Sequence, residues 1–263
     1  MSKPIKIAIA NPKGGVGKST AAANLAAAAA KASLKALLID LDPQGSASDL
    51  SDISEDQCNG FASQMFSEKP VTPSSLIINT AFGYDIIPAG PDLISAEDAI
   101  GKMPMGEQRL SLLLESDEGL NGYDLVFIDT VGARWRLLTA SLLAADEVLI
   151  PARPSRLSIK ELPDLVNLLE VLNQFRGARP PISIRGLFFS EVEPRTKAAQ
   201  ICIQETTEDF LNDFKVAATH IPKSTIVEQA ALLSQPVLEY DSGCAPAISF
   251  MELFFELFPE FNR

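Results

Sequence analysis

Short apolar runs without polar alternation recur along the chain and predict buried β-strands. They occupy residues 5–10, 35–40, 84–89, 123–129, 147–152, 182–189 and 214–221. Strands with this pattern are covered on both faces. Helical patterns lie between most of them, most clearly over residues 19–32, 134–144, 158–175 and 196–212. The alternation predicts an α/β fold with a doubly wound, mostly parallel sheet and helices on both faces.

The chain shows no internal repeat and no low-complexity linker. Residues 43–83 are the least regular, and we expect them to form short helices and loops above the carboxyl edge of the sheet, where such folds bind ligands. Hydrophobic residues make up 46% of the chain, which excludes a disordered protein. The length suits one α/β domain or two small ones, and residues 1–263 are predicted to form a single domain.

The net charge and the cysteine content restrict the classes of function that the protein can have. The formal net charge of -12 argues against broad attraction to nucleic acid or anionic lipid, although a local basic patch stays open. Cys58, Cys202 and Cys244 are too far apart in the sequence for a metal pair or a disulfide framework. His220 is the single histidine, which excludes a Ser-His-Asp site, and we expect it to be structural, near a strand end.

We expect a cytoplasmic protein. The apolar run "IKIAIA" at residues 5–10 is too short for the apolar region of a signal peptide, and it leads directly into a glycine-rich segment. No apolar run in the sequence is long enough to cross a bilayer.

The first predicted strand leads into a glycine-rich turn and a helix, the context that a phosphate-binding loop requires. The turn reads Pro12-Lys13-Gly14-Gly15-Val16-Gly17-Lys18-Ser19-Thr20. Backbone N–H groups from Gly14 to Thr20 can surround a phosphate, and the helix dipole adds to the attraction. Lys18 is predicted to contact the β- and γ-phosphates, and the Ser19 hydroxyl to bind Mg²⁺. Pro12 stands where the usual pattern has glycine, and Lys13 is a second lysine that one phosphate site does not need.

Carboxylates follow two other predicted strands. Asp40 and Asp42 alternate at the end of the strand 35–40, so both side chains should lie on one side of it. Asp42-Pro43 is also ordinary turn chemistry, but the buried strand brings Asp40 to the edge beside the phosphate loop. There Asp40 can hold Mg²⁺ through water, and Asp42 can orient or deprotonate an attacking water. Asp129 ends the apolar run "LVFID", which is typical of a Walker B strand whose carboxylate approaches Mg²⁺.

These elements together resemble the deviant-Walker-A ATPases, the ParA/MinD/Soj group. The motifs that carry the resemblance are "KGGVGKST", "LLIDLDPQGS", "YDLVFIDT", "LLAADEVLIPARPS" and the course of the last third of the chain. The resemblance implies that Lys13 crosses to the ATP of a second subunit in a face-to-face dimer, which answers the question that the extra lysine raises. It also implies that Asp42 is needed for hydrolysis, that Asp40 and Asp129 lie in the outer shell of Mg²⁺, and that Thr20 lies near the α-phosphate. The segment around Pro222 would contact adenine.

The resemblance further implies a positioning or partition switch. ATP would drive formation of a homodimer, the dimer would bind nucleoid DNA non-specifically, and a ParB-like or cargo-adaptor protein would stimulate hydrolysis and release. The cargo would be plasmid or chromosomal DNA or a protein assembly. Hydrolysis would be slow without the partner. Candidate DNA contacts are Arg195, Lys197 and Lys223.

The chain departs from the family pattern in three places. The two prolines that usually follow the Walker B aspartate are absent from the run that follows Asp129, which reads Thr130-Val131-Gly132-Ala133-Arg134-Trp135-Arg136. The triplet Arg134-Trp135-Arg136 is either a packed tryptophan with solvated arginines or a contact with a partner or second subunit. Ile226 stands where Soj-like members place an arginine, which leaves DNA binding open. No helix-turn-helix segment precedes the glycine-rich loop in the sequence.

Other functions stay open at this point. MinD-like regulators end in a basic amphipathic membrane helix, but the Phe-rich tail here carries Glu252, Glu256 and Glu260, so we expect a final helix packed on the sheet and no membrane binding. A metabolic enzyme of the same superfamily is a second alternative, although the three cysteines fit no iron–sulfur pattern. A scaffold that does not hydrolyse ATP is a third.

Overall fold

The computed structural model describes residues 3–132 and 135–262. Its strands are β1 (Ile5–Ile9), β2 (Ala36–Leu41), β3 (Ile78–Asn79), β4 (Asp85–Ile87), β5 (Leu125–Thr130), β6 (Glu147–Ala152) and β7 (Ser183–Phe189). Within those two ranges they form one sheet in the order β3-β4-β2-β5-β1-β6-β7. Neighbouring strands are parallel, apart from the antiparallel pair β3–β4. The predicted α/β fold with a mostly parallel sheet is confirmed.

The α-helices alternate with the strands as the pattern predicts. They are α1 (Lys18–Lys31), α2 (Ser46–Asp49), α3 (Leu93–Lys102), α4 (Arg109–Ser116), α5 (Trp135–Ala144), α6 (Arg156–Ile159), α7 (Leu162–Asn173), α8 (Lys197–Asp209), α9 (Thr225–Leu232), α10 (Val237–Tyr240) and α11 (Ala245–Leu257). Residues 43–83 hold α2, the short 3₁₀ turns Glu55–Gln57, Ala62–Phe66 and Pro73–Leu76, and β3. This segment is therefore as irregular as the sequence predicts.

Two hydrophobic cores cover the two faces of the sheet. Along β1, Ile7 and Ile9 belong to the core beneath α1 and α11. Ala8 and the following Ala10 belong to the opposite core, beneath α5 and α7. Successive side chains of a strand point to opposite faces, so one apolar strand supplies both cores. The helices on both faces are thus a direct result of strands without polar positions.

Helix α1 lies close against the sheet because its body is nearly all alanine. The side chains from Ala21 to Ala29 are buried, with Leu25 as the one large apolar residue among them. Small side chains allow a short distance between the helix axis and the sheet. The helix begins directly after Gly17, whose φ of 82° lies in the left-handed region that favours glycine. This packing fixes the helix N-terminus at the carboxyl end of β1.

The predicted strand at residues 214–221 is wrong as a continuous strand. The segment runs parallel to β7 and pairs with it near Val216, and again near Pro222 with Val192. Between these points the N–H groups of Ala218 and Thr219 donate to the Glu256 carboxylate of α11, at 2.8 and 2.9 Å. Because the Glu256 side chain accepts these two hydrogen bonds, the two N–H groups do not pair with β7, and the backbone pairing between the segment and β7 is interrupted.

The predicted helix at residues 158–175 is divided into α6 and α7. Pro163 lies in the first turn of α7. Proline has no N–H to donate and its ring would clash with the carbonyl group four residues earlier, so a helix cannot run through it undisturbed. The sequence also did not predict β3, which pairs with β4 over only two residues. The predicted helix 134–144 corresponds to α5, and its first predicted residue, Arg134, lies outside the described residues.

The final helix packs on the sheet, as the acidic tail predicts. Phe250, Leu253 and Phe254 of α11 are buried in the core that α1 also covers. Glu256 accepts the two hydrogen bonds that interrupt the neighbouring strand. Over residues 3–132 and 135–262, the structure contains no helix of the length and apolarity needed to span a membrane.

Candidate functional site: a glycine-rich loop beside buried carboxylates

The loop between β1 and α1 is tied to the ends of β6 and β7. The buried Asn11 side chain donates to the carbonyl oxygen of Pro151 at 2.8 Å and accepts from the backbone N–H of Lys13 at 2.9 Å. The Ser190 hydroxyl donates to the carbonyl oxygen of Val16 at 2.7 Å. The sequence did not predict these hydrogen bonds, because neither Asn11 nor Ser190 belongs to the glycine-rich pattern. They hold the loop in place from two neighbouring strands.

Lys18 is the first residue of α1 and is almost fully buried. Its ammonium group donates to the carbonyl oxygen of Lys13 at 3.3 Å, so the side chain turns back across the loop. Burial lowers the pKa of Lys18, while the carboxylates of Asp129 and Asp42 act in the opposite direction. Gly132 comes so close that an added Cβ would lie 3.3 Å from the Lys18 ammonium nitrogen. A small residue at that position leaves the lysine its space.

Asp40 and Asp42 end β2 but occupy different environments. Asp40 is fully buried and accepts hydrogen bonds from the Asp42 N–H (3.0 Å) and from the N–H and hydroxyl of Ser48 (2.8 and 2.7 Å). Burial raises the pKa of Asp40 to about 6, and the bonds from Ser48 and Asp42 act against that shift. Asp42 is half-buried and is the one of the two that lines the cavity described below. Asp40 is therefore placed to hold the backbone that carries Asp42.

Asp129 on β5 lies directly beside Asp40, its register partner on β2. It is fully buried, and within the described residues neither carboxylate oxygen has a hydrogen-bond partner. Burial raises the pKa of Asp129 well above its usual range, and the charges of Asp40 and Asp42 add to this. Ser19 and Lys18 nearby act in the opposite direction. A buried carboxylate without partners is costly, so it calls for a ligand-bound state that satisfies it.

The residues around Asp129 fit a hydrated Mg²⁺ ion. Mg²⁺ is held through oxygen atoms, keeps several waters, and needs only one or two carboxylates besides a phosphate ligand. The Ser19 hydroxyl and the two unpartnered oxygens of Asp129 supply that donor set. Among the described residues no group of three or more His, Cys, Asp or Glu side chains is arranged to hold a metal. The site therefore suits an ion that arrives with phosphate rather than one held by the protein alone.

Two cavities meet at the glycine-rich loop. The first has a volume of about 550 Å³ and is lined by the loop and by the segments after β2, β5, β6 and β7: Gly14, Gly15, Gly17, Lys18, Ser19, Thr20, Asp42, Pro43, Gln44, Ser46, Val131, Gly132, Arg153 and Glu191. The second has about 170 Å³ and lies beside Pro222 and the start of α9. Gly17, Thr20, Arg153 and Glu191 line both. A long ligand can therefore extend from one cavity into the other.

The candidate DNA contacts lie outside the first cavity. Arg195, Lys197 and Lys223 are all exposed. Arg195 and Lys197 lie at the start of α8, whereas Lys223 pairs with Glu193 at 2.7 Å. Ile226 is half-buried at the start of α9 and packs partly against the core under α1. Arg195 and Lys197 are therefore neighbours near the start of α8, whereas Lys223 has an acidic partner.

His220 and Arg136, two further residues that the sequence singles out, make contacts that support the fold. His220 follows the interrupted segment and lies edge-on against Phe189, with ring centroids 5.8 Å apart, and burial lowers its pKa. The backbone N–H of Arg136 donates to Glu97 at 2.9 Å, which caps α5. Arg134 and the Trp135 side chain lie outside what the structure describes, so both interpretations of the triplet stay predictions.

The chain is similar to known proteins over most of its length. A family model described as "AAA domain" matches residues 5–180. The chain is 31% identical over 255 residues to the chromosome partitioning protein ParA of Caulobacter vibrioides (strain NA1000 / CB15N), covering 96% of this chain and 93% of that protein. It is 32% identical over 245 residues to the chromosome-partitioning ATPase Soj of Treponema pallidum (strain Nichols), covering 92% of each. The solved structure of Cyanothece McdA in complex with ATP has a TM-score of 0.83, 24% identity and 98% coverage of both chains, which supports the fold.

Proposed function

The chain belongs to the ParA/Soj family of partitioning ATPases, and from that premise we propose that it is a Mg²⁺-dependent ATPase that works as a positioning switch. ATP drives face-to-face dimerisation, the dimer binds DNA without sequence preference, and hydrolysis stimulated by a ParB-like or cargo-adaptor protein releases it. Residues 1–263 act as one ATPase domain. The cargo is plasmid or chromosomal DNA or a protein assembly.

The observation that carries this proposal is the pair of connected cavities along the glycine-rich loop. The triphosphate occupies the larger cavity, where the N–H groups of Gly14 to Gly17 and the ammonium of Lys18 neutralise it. Thr20 lines both cavities and lies near the α-phosphate. Adenine occupies the smaller cavity beside Pro222. The combined shape matches a ligand that has a charged end and a flat apolar end.

The carboxylates divide the remaining work. Ser19 would hold Mg²⁺ directly, and Asp129 and Asp40 would hold it through water, while Asp40 also fixes the turn that follows β2. When bound, Mg²⁺ supplies charge neutralisation of the phosphates. Asp42 lines the cavity with one carboxylate oxygen accepting from the Gln44 N–H at 2.9 Å, so it is oriented to position an attacking water. Hydrolysis without the partner protein is slow.

Lys13 is proposed to act on the nucleotide of the second subunit. Its side chain is half-buried and does not line the cavity of its own subunit, although Gly14 beside it does. The neighbouring Gly14 and Gly15 are exposed, so this edge of the loop is open to a facing subunit. A lysine from across such an interface offsets the charges of two triphosphates and makes dimerisation depend on ATP.

The protein is proposed to be cytoplasmic. The surface to which its dimer binds is proposed to be nucleoid DNA rather than a membrane. Arg195 and Lys197 supply a small cationic surface at the start of α8, and Lys223 contributes less because Glu193 pairs with it. The last helix buries Phe250, Leu253 and Phe254 against the sheet, and its outer side carries Glu252, which anionic lipid would repel. With so few cations, DNA binding should be weak and should disappear at moderate salt.

Two measurements test the proposal in sequence. Fluorescent ATP should bind the wild type and lose binding in Lys18→Ala, while Lys31→Ala at the other end of α1 serves as the control. A DNA mobility shift with ATP, ADP or no nucleotide, at two salt concentrations, then tests the surface. A shift with ATP alone that weakens at the higher salt supports the DNA switch. Ordinary ATP affinity in Lys18→Ala would overturn the nucleotide site, and no shift under any condition would overturn DNA as the surface.

A further inference from the structure

An ion pair stands at the junction of the two cavities. Arg153 directly follows β6, Glu191 lies two residues after β7, and the Arg153 guanidinium donates to the Glu191 carboxylate. Both side chains line both cavities, and they are 45% and 40% exposed. A ligand that occupies both cavities would therefore lie beside this pair. None of the roles assigned above uses either residue.

The backbone holds the two side chains opposite each other. The Arg153 N–H donates to the Ser158 hydroxyl at 3.1 Å, and the Ser190 N–H donates to the carbonyl oxygen of Ala152 at 2.8 Å. Glu191 has a φ of 51°, a left-handed conformation that is uncommon for a residue other than glycine. Such a conformation persists only where the surroundings impose it, and it is found preferentially at ligand sites. The surrounding structure therefore fixes the position of Glu191 at this edge of the sheet.

The charges around Arg153 and Glu191 favour a transfer of the Arg153 guanidinium from the Glu191 carboxylate to a phosphate group. Lys223 also lines the second cavity, and the charge of Glu191 acts on it, although its hydrogen-bond partner is Glu193. A half-exposed ion pair contributes little, whereas a guanidinium forms strong, paired hydrogen bonds with phosphate oxygens. An arriving phosphate chain also repels Glu191. Arg153 therefore has more to gain from the phosphate than from the carboxylate.

We propose that Arg153 is a phosphate-binding residue of the nucleotide site, and that Glu191 is its counter-ion in the nucleotide-free protein and releases it when nucleotide binds. The inference rests on the proposed nucleotide site, and it adds regulation to it: Glu191 competes with the ligand for the same guanidinium. Removing the cation and removing its competitor should therefore change affinity in opposite directions.

The test is a double-mutant cycle with ATP and ADP as the probes, measured by calorimetry. Arg153→Gln should weaken binding by about tenfold or more, the loss typical of a hydrogen bond to a charged group. Glu191→Gln should tighten binding by about two- to fivefold, because the competing exposed pair contributes little. In the Arg153→Gln background, the Glu191→Gln change should tighten binding by less than it does in the wild type, because only the direct repulsion between Glu191 and the phosphates is then left.

Matched controls separate these effects from general electrostatics. Arg156→Gln and Glu205→Gln make the same charge changes at exposed positions outside the pair, and neither residue is among those that line the two cavities in the described part of the chain. Both controls should stay within about twofold of the wild type. Unchanged affinity in Arg153→Gln, or weakened binding in Glu191→Gln, would overturn the proposal. Absence of ATP binding to the wild type would instead overturn the nucleotide site itself.

Discussion

Replacing Asp129 by asparagine should stabilise the protein when nucleotide and Mg²⁺ are absent. Asp129 is fully buried and neither oxygen has a hydrogen-bond partner within the residues described. Asparagine has nearly the same size and shape but carries no charge. The substitution therefore removes the cost of burying a carboxylate and leaves the packing of β5 unchanged.

The sign of the pH dependence follows from the raised pKa. A carboxyl group whose pKa is higher in the folded than in the unfolded protein binds more protons when folded, so stability falls as the pH rises above the unfolded pKa. Burial raises the pKa of Asp129, and Asp40 and Asp42 raise it further. The advantage of Asp129→Asn should therefore be small near pH 4 and should grow toward pH 7 and above.

The expected gain at neutral pH is the difference between two opposing contributions. Each unit of pKa shift corresponds to about 1.4 kcal/mol, and the buried amide of asparagine, which also lacks partners, offsets part of the gain by about 1–3 kcal/mol. For a chain of this size, each kcal/mol changes the melting temperature by about 2–4 °C. Asp40, whose pKa burial raises to about 6, keeps its own contribution. The variant should therefore still lose stability between about pH 4 and 6, by up to about 3 kcal/mol.

The assay is urea and thermal unfolding in EDTA from pH 4 to pH 8. Asp213→Asn is the control, because it removes the same charge from an exposed position. Addition of Mg²⁺ and ATP should stabilise the wild type more than Asp129→Asn. A variant less stable than the wild type at pH 7 in EDTA would refute the reasoning, because it would mean that Lys18 compensates the Asp129 charge in the folded protein.

Three further variants test the proposed roles. Lys13→Ala should keep ATP affinity but lose the ATP-dependent dimer in light scattering. Asp42→Ala should still bind ATP while phosphate release falls at least about 100-fold, so the dimer should persist. Gly132→Ala should weaken ATP binding about fivefold in a fluorescence titration, because its Cβ would lie 3.1 Å from the Pro12 carbonyl oxygen and 3.3 Å from the Lys18 ammonium nitrogen, so the loop and the lysine would have to shift. Gly122→Ala is its control, since an added Cβ there meets nothing within 4 Å.

Each of these roles has an outcome that contradicts it. An unchanged dimer in Lys13→Ala would show that this lysine does not act between subunits. Normal phosphate release by Asp42→Ala would remove its role with the attacking water. If Gly132→Ala and Gly122→Ala bound ATP equally well, the close approach of Gly132 to the lysine would have no consequence.

The sequence predicted best what depends on neighbouring residues. The apolar runs that became β1, β2, β5, β6 and β7 are local patterns, and the sheet follows from them. The glycine-rich loop is local as well, and its context between a strand and a helix was correct. The carboxylates at strand ends were brought together because parallel strands in one sheet end at one edge.

What the sequence did not predict depends on contacts between distant residues. Glu256 interrupts the segment 214–221 from a helix that lies later in the chain. The sequence also gave no reason to single out Asn11 and Ser190, which tie the loop to other strands. Arg153 and Glu191 could have been found by applying the strand-end argument to every charged residue that follows a strand, not only to aspartates.

The electrostatics of the site explain why its residues look unfavourable in the nucleotide-free protein. Within the described residues the Asp129 oxygens have no hydrogen-bond partner, Lys18 is buried with a lowered pKa, and Arg153 is paired with Glu191 at the junction of the two cavities. Each of these groups would find a better partner in Mg²⁺ or in a phosphate chain. Binding free energy that relieves such costs also stabilises the folded state by mass action. A protein built in this way gives up stability without its ligand, so its conformation and its assembly can respond strongly to ATP.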